Sequence, residues 1–240
     1  MSKKGGKDYI YLIWKDPQSR RQYTVGQLSK NGKYEFQYGF EIQDALKKGF
    51  ELLISFDDIT KKYSSDKLFS PFRSRVPDRR RKGIGDILAK YGLDEYNEYE
   101  LLKKSGGRLP IDNMEFIDPI LDNGEDPIER YFYIAGSRHY LGCDGESCNR
   151  GIYLKQHDKL ELEPEPTNKY DAYAVKIYDL QKRLIGYIPR YYSESIFKLI
   201  SQNIKCELEA CEVNKDNNCN ECVRVYLKIT RELKKIEDVS

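Results

Sequence analysis

The sequence predicts an α+β protein of two domains, a small antiparallel sheet with helices followed by a β-barrel with one or two helices. Alternating apolar runs cluster in residues 9–38 and again in 131–231, and helical spacing fills much of the stretch between them. A segment rich in Pro, Asn, Asp and Gly, from Pro119 to Pro127, interrupts all periodicity. The boundary is therefore placed at 120–128, with domains at 1–122 and 128–240.

The first strand is expected over Tyr9 to Trp14 and the second over Tyr23 to Leu28. A turn at Asn31-Gly32 then leads to a third strand over Tyr34 to Tyr38. Asn-Gly between alternating runs is a hairpin signal, because both turn residues tolerate positive φ. A helical turn at Ile42 to Lys48 and the apolar run Phe50 to Phe56 follow. Phe69, Phe72 and Val76 recur at helical spacing, and Gly85–Tyr91 and Glu98–Ser105 read as two short helices. Six strands are expected in the second half, at 131–136, 159–163, 174–179, 184–188, 204–214 and 223–231, with one helix over Tyr192 to Ser201.

The chain has 240 residues, with 41 Lys and Arg against 39 Asp and Glu. A net charge of +2 excludes indiscriminate cationic coating of DNA and leaves binding by a local basic face open. No apolar run is long enough to span a membrane. The first residues lack a cleavage site after their short apolar stretch, so a cytoplasmic location is expected. Twenty tyrosines stand out. They could supply stacking platforms for bases, but composition alone favours half-buried strand residues.

Residues 158–190 carry a multi-part pattern: Glu165, Pro166, Asn168, Tyr170, Asp171, Ala174 and Val175, then Gly186-Tyr187-Ile188-Pro189-Arg190 leading into a helix. Pro166, Asn168 and Asp171 form turns, so Tyr170 and Asp171 are expected together on a turn between strands. An aromatic face there stacks on a terminal base. The carboxylate accepts a hydrogen bond from a sugar hydroxyl and repels a terminal phosphate. The plainer alternative is a well-made turn with tyrosines packed inside the barrel. The pattern, over about residues 130–231, resembles the HIRAN domain family, a small β-barrel module. Members from fork-remodelling enzymes bind single-stranded DNA at its 3′-hydroxyl end. The resemblance implies this chemistry at Tyr170 and Asp171, and by position Tyr133, Tyr187 and Arg190 line the same groove.

The first half resembles the N-terminal subdomain of HipA-type toxin kinases. The likeness rests on Trp14, Val25-Gly26-x-Leu28, Tyr34-x-Phe36-x-Tyr38, Leu52 to Ser55, Phe69-x-x-Phe72 and Val76-Pro77-Asp78. A basic helix, Arg79 to Lys82, is expected next, with Asp78 as its cap. Arg79, Arg80 and Arg81 suit phosphate contact. The kinase part is missing, with no Gly-rich phosphate loop and no Asp-Phe-Gly-like segment.

Cys219-x-x-Cys222 and Cys143-x4-Cys148 would form a four-thiolate zinc site if their loops met. Reduced loop thiols with no cofactor are the simpler expectation. No Ser/His/Asp order, nucleophile elbow or His-rich cluster occurs, and His139 beside Arg138 is a further phosphate contact at most. The expectation is a non-enzymatic protein that binds single-stranded DNA ends, in DNA repair or defence against foreign DNA, and recruits a protein partner through its first domain. The alternative is a protein-interaction or antitoxin-like module that binds a kinase.

Overall fold

The computed structural model describes residues 8–120, 126–142, 153–214 and 221–231. The chain divides into two compact units, residues 1–119 and 120–240.

In the first unit, β1 (Tyr9–Lys15), β2 (Gln22–Asn31) and β3 (Lys33–Tyr38) form an antiparallel meander, extended by β4 (Lys62–Ser65) beside β3 and β5 (Met114–Ile117) beside β1. The sheet order is β4-β3-β2-β1-β5. Ile10, Leu12, Leu28 and Phe36 are buried on one face at alternate positions, and Val25 joins the same core at a register shift between β1 and β2. Phe36 is the centre of this core, with ring centroids 4.5 Å from Phe56 and 5.0 Å from Phe72. The apolar run 50–56 makes no strand. Phe50 and Phe56 dip into the core, while Ile54 stands fully out in water and the Leu53 amide donates to the Tyr38 hydroxyl.

Four helices cover the sheet: α1 (Ile42–Lys47), α2 (Ser70–Arg73), α3 (Ile84–Lys90) and α4 (Glu98–Ser105). Asn97 caps α4 by accepting from the amides of Tyr99 and Glu100, and Gly106 ends it in the left-handed conformation. The expected basic helix at Arg79 to Lys82 is not formed. The Asp78 carboxylate takes the Arg80 amide at 2.8 Å, as a cap would, but the Arg81 amide returns to the Asp78 carbonyl in a tight turn, and the helix that follows starts only after left-handed Gly83.

One buried charge ties this unit together. Arg75, almost fully enclosed, binds Asp112 with both terminal nitrogens at 2.7 and 2.8 Å. It also donates to the carbonyls of Gly107 and Met114. It thereby fixes the chain entering β5 against the end of α2.

The second unit comprises β6 (Ile128–Tyr133), α5 (Ser137–Tyr140), β7 (Lys159–Pro164), β8 (Val175–Tyr178), β9 (Leu184–Tyr187), α6 (Arg190–Ser201), β10 (Lys205–Val213) and β11 (Val223–Thr230). The sheet runs β6-β11-β10-β7-β8-β9, antiparallel throughout. It curls until its edges meet. Just past β6, Ala135 exchanges two backbone hydrogen bonds of 2.9 Å with Tyr187 of β9. Inside lie Ile128, Phe132, Val175, Ile177, Ile185, Leu208, Val225 and Leu227. Tyr192, Ile196 and Leu199 of α6 are also buried, at the spacing of one helix face.

Gly186 makes the meeting of edges possible. At φ +149° a Cβ here would lie 2.4 Å from Ile134 Cγ2 and 2.6 Å from the Ala135 carbonyl oxygen. Gly186→Ala is expected to cost at least the ~1–3 kcal/mol of an overpacked core. A melting temperature equal to wild type would refute the closure argument. Removing the first unit's buried guanidinium with Arg75→Ala strands the Asp112 carboxylate and two carbonyls, an expected loss of about 3–5 kcal/mol. Urea unfolding measures it. Arg75→Lys should not restore stability, because an ammonium cannot reproduce the two-pronged contact.

Candidate nucleic-acid interface

The loop of residues 165–174 joins β7 to β8. The Glu165 amide donates to the Ala174 carbonyl, and the Ala174 amide to the Asp171 carbonyl. Within it the Asn168 side-chain oxygen accepts from the amides of Tyr170 at 2.9 Å and Asp171 at 3.2 Å, an Asx turn. Asp171 uses one carboxylate oxygen for the Tyr173 amide and the other for the Ser193 hydroxyl of α6 at 2.7 Å. The backbone is thus held on both sides of Tyr170. The Tyr170 side chain itself stands in solvent, 92% exposed.

Beneath this loop is a polar junction centred on Glu165. It accepts from the Asn168 amide group at 2.6 Å, from the Lys176 ammonium at 2.8 Å and from the Tyr187 hydroxyl at 3.1 Å. Asn168 first and then Lys176 hold the Glu165 carboxyl below the usual carboxylate range. Burial, with the neighbouring Tyr140 and Glu165, pushes the Tyr187 phenol well above its ordinary value, so it stays a neutral donor. The Tyr140 ring of α5 lies 5.8 Å from that of Tyr187.

Of the residues expected to bind nucleic acid, Tyr170, Asp171 and Tyr187 are linked through this junction, directly or through Asn168. Arg190 is the first residue of α6, three positions beyond Tyr187. It is exposed and without a salt-bridge partner among the described residues. Tyr133 lies at the end of β6, two residues before Ala135, half-buried and opposite Arg224 on β11. Arg79, Arg80 and Arg81 belong to the first unit, on exposed turns.

Sequence reasoning missed three members of this region. Ser193 carries a recoverable signal, since a hydroxyl on the buried face of an amphipathic helix demands a partner. Lys176 and Tyr140 gave none, because their proximity is created by the curling of the sheet. Arg138 and exposed His139 sit on α5, which packs against β9.

Cys143, Cys148 and Cys219 of the supposed zinc site lie outside the described residues. Cys222 is buried, its sulfur 3.9 Å from the Ser137 hydroxyl. Among the described residues no group of three or more His, Cys, Asp or Glu is arranged to hold a metal. Burial pushes the thiols of Cys206 and Cys211 up to about 11. Among the described residues no helix is long and apolar enough to cross a membrane.

Comparison with known proteins gives two family matches in tandem. Residues 128–233 match the HIRAN domain, and residues 20–110 match the HipA N-terminal domain. Among solved structures, the HIRAN domain of human HLTF aligns at 13% identity, covering 47% of this chain and 84% of that one, with a TM-score of 0.35. A Lactobacillus plantarum protein aligns at 18% identity, covering 45% and 94%, with a TM-score of 0.32. No curated protein matches the chain.

Glu165→Gln weakens charge-assisted bonds to neutral ones, worth about 1 kcal/mol. It should speed amide exchange at Tyr170 and Asp171 about 5-fold. Acid should do the same to the wild type. With the folded pKa depressed, the junction's contribution is complete above the unfolded value of about 4.3 and is lost as pH falls through the lower folded one. Exchange rates at these two amides, corrected for intrinsic chemistry, that stay flat in the variant and in acid would show that Glu165 does not order the loop.

Proposed function

We propose that the protein is a non-catalytic binder of single-stranded DNA that recognises the 3′-hydroxyl end through the 165–174 loop of its second unit. The observation that carries this reading is an aromatic ring left 92% in water on a turn whose backbone is hydrogen-bonded on both sides. An exposed aromatic on an ordered turn offers a stacking face with little ordering entropy left to lose. The match of residues 128–233 to the HIRAN domain supports the ligand class.

In this reading the terminal base stacks on Tyr170. The Asp171 carboxylate, one oxygen on Ser193 and one on the Tyr173 amide, keeps lone pairs for a further donor and accepts a hydrogen bond from the 3′-hydroxyl. A 3′-phosphate in the same place would meet two carboxylates, Asp171 and Glu165. Arg190 at the start of α6 and Arg138 on α5 supply cations for the penultimate phosphates. Tyr187 and Tyr133 offer further rings along the path. DNA repair or defence against foreign DNA, in the cytoplasm, is the setting such end recognition would serve.

A second reading, a protein-interaction or antitoxin-like role, draws on the first unit. Residues 20–110 match the HipA N-terminal domain, and within them Phe40 and Ile54 stand exposed at 60 and 99%, with Ile111 just beyond at 88%. Copurification of a kinase with a protein that ignores DNA would favour it.

Fluorescence anisotropy with strands ending in a 3′-hydroxyl or a 3′-phosphate tests the main reading. Tyr170→Ala should lose a stacking contact worth ~1–3 kcal/mol, about 5- to 150-fold in affinity. Asp171→Asn keeps an acceptor for Tyr173 and a partner for Ser193 but removes the charge, so it should narrow the preference for the hydroxyl end. Equal binding of the two strands by the wild type would sink end recognition.

A further inference from the structure

We propose that the first unit bears a second contact for the same class of ligand, a basic turn at residues 73–82 that grips the phosphodiester backbone without regard to sequence or end. This rests on the reading above in taking the ligand to be single-stranded DNA. The stretch from Arg73 to Lys82 holds Arg73, Arg75, Arg79, Arg80, Arg81 and Lys82 against a single carboxylate, Asp78. Arg75 is internal and spoken for by Asp112. The other five cations are exposed.

Their arrangement is fixed by the turn. The Arg80 amide is bound by the Asp78 carboxylate, the Arg81 amide by the Asp78 carbonyl, and the Ile84 amide by the Arg81 carbonyl. At the entrance, the Tyr96 hydroxyl donates to the Pro77 carbonyl at 2.8 Å. Arg73 is the last residue of α2 and leads into the run through turns, the Arg75 amide bound by the Phe72 carbonyl and the Val76 amide by the Arg73 carbonyl.

The cations are not equivalent. Asp78 claims Arg80 through its side chain as well as its amide, at 3.2 Å. Arg73, Arg79, Arg81 and Lys82 have no salt-bridge partner among the described residues. Four uncommitted cations on an ordered exposed turn form a site for several phosphates at once, and arginine forks match phosphate oxygens two at a time. The turn offers no apolar anchor, since Val76 is buried and Tyr96 is occupied. Protein partners are held mainly by aromatic and arginine anchors seated in desolvated pockets, whereas these arginines stand out in water on an exposed turn. Repeated phosphates need only charge.

The test uses the full chain and a single strand of about 30 nucleotides, longer than the ~4–16 that one barrel module covers. Affinity is measured over a range of salt for the wild type, for the triple variant Arg79→Ala/Arg81→Ala/Lys82→Ala and for Asp78→Asn. Each phosphate contact contributes about 0.7 to the slope of log K against log salt, so the triple variant should flatten it by about 2. Its preference for a 3′-hydroxyl over a 3′-phosphate end should remain. Asp78→Asn, which frees Arg80 and keeps the turn's acceptor, should steepen the slope. A triple variant with the wild-type slope overturns the proposal. A wild type that binds without end preference, and still loses slope in the triple variant, overturns end recognition and leaves the basic turn standing. A chain that binds no strand overturns both.

Discussion

The second unit depends on one close approach of backbone to backbone. A six-stranded antiparallel sheet leaves two edges open, and each edge exposes a row of unpaired amides and carbonyls. Here the chain leaving β6 crosses to β9 and closes the sheet through the reciprocal Ala135–Tyr187 bonds. That crossing leaves no room for a side chain at residue 186, which is why glycine precedes Tyr187. Closure fixes three things together. It seats α5 and its Tyr140 against β9, turns the Tyr187 hydroxyl towards Glu165, and places Pro189 and Arg190 where α6 must begin.

A second constraint is electrostatic. Glu165, Lys176 and Tyr187 come from β7's end, β8 and β9, three neighbouring segments of the curled sheet. Breaking the set would leave a partly enclosed carboxylate without partners, which costs more than any one of its bonds contributes. Asn168 connects this junction to the exposed turn, and Asp171 connects the turn to Ser193 on α6. The loop carrying Tyr170 is therefore anchored to the sheet on one side and to the helix on the other. Its order is imposed by polar contacts beneath it, because Tyr170 itself contributes no packing.

Local chemistry decided what could be read from sequence. The Asn31-Gly32 hairpin and the alternation in β1 to β3 are properties of adjacent residues, and so is the turn that displays Tyr170 and Asp171. Each appears where its pattern lies. By contrast β4, Lys62–Ser65, has no apolar alternation and exists because β3 offers it an edge. Short β5 is held by pairing with β1 and by Arg75 on the Met114 carbonyl. The basic run Arg79 to Lys82 reads in the sequence as a helix with Asp78 as its cap. Asp78 takes the Arg80 amide as a cap would, but left-handed Gly83 interrupts the run within one turn, and the helix starts beyond it. The Glu165 junction, spanning residues up to 22 apart, was invisible for the complementary reason. No spacing rule relates positions that only the curl of a sheet brings together.

On the proposed reading the two units divide recognition by physical type. The contacts of the second unit that read the end, at Tyr170 and Asp171, are stacking and directional hydrogen bonds, short in range and less affected by ions, so they discriminate one strand end from another. Contacts at the basic turn are coulombic and depend on counterion release, so they weaken steeply with salt and ignore sequence. Neither kind alone suits a search for rare ends: charge binds every strand alike, and stacking on one ring is weak until the end is found. Joined in one chain, the first raises the local concentration of strand seen by the second, and affinity gains without any new contact. A modest overall charge of +2 is compatible with this, because what matters is the four uncommitted cations gathered on one turn and not the sum over the chain.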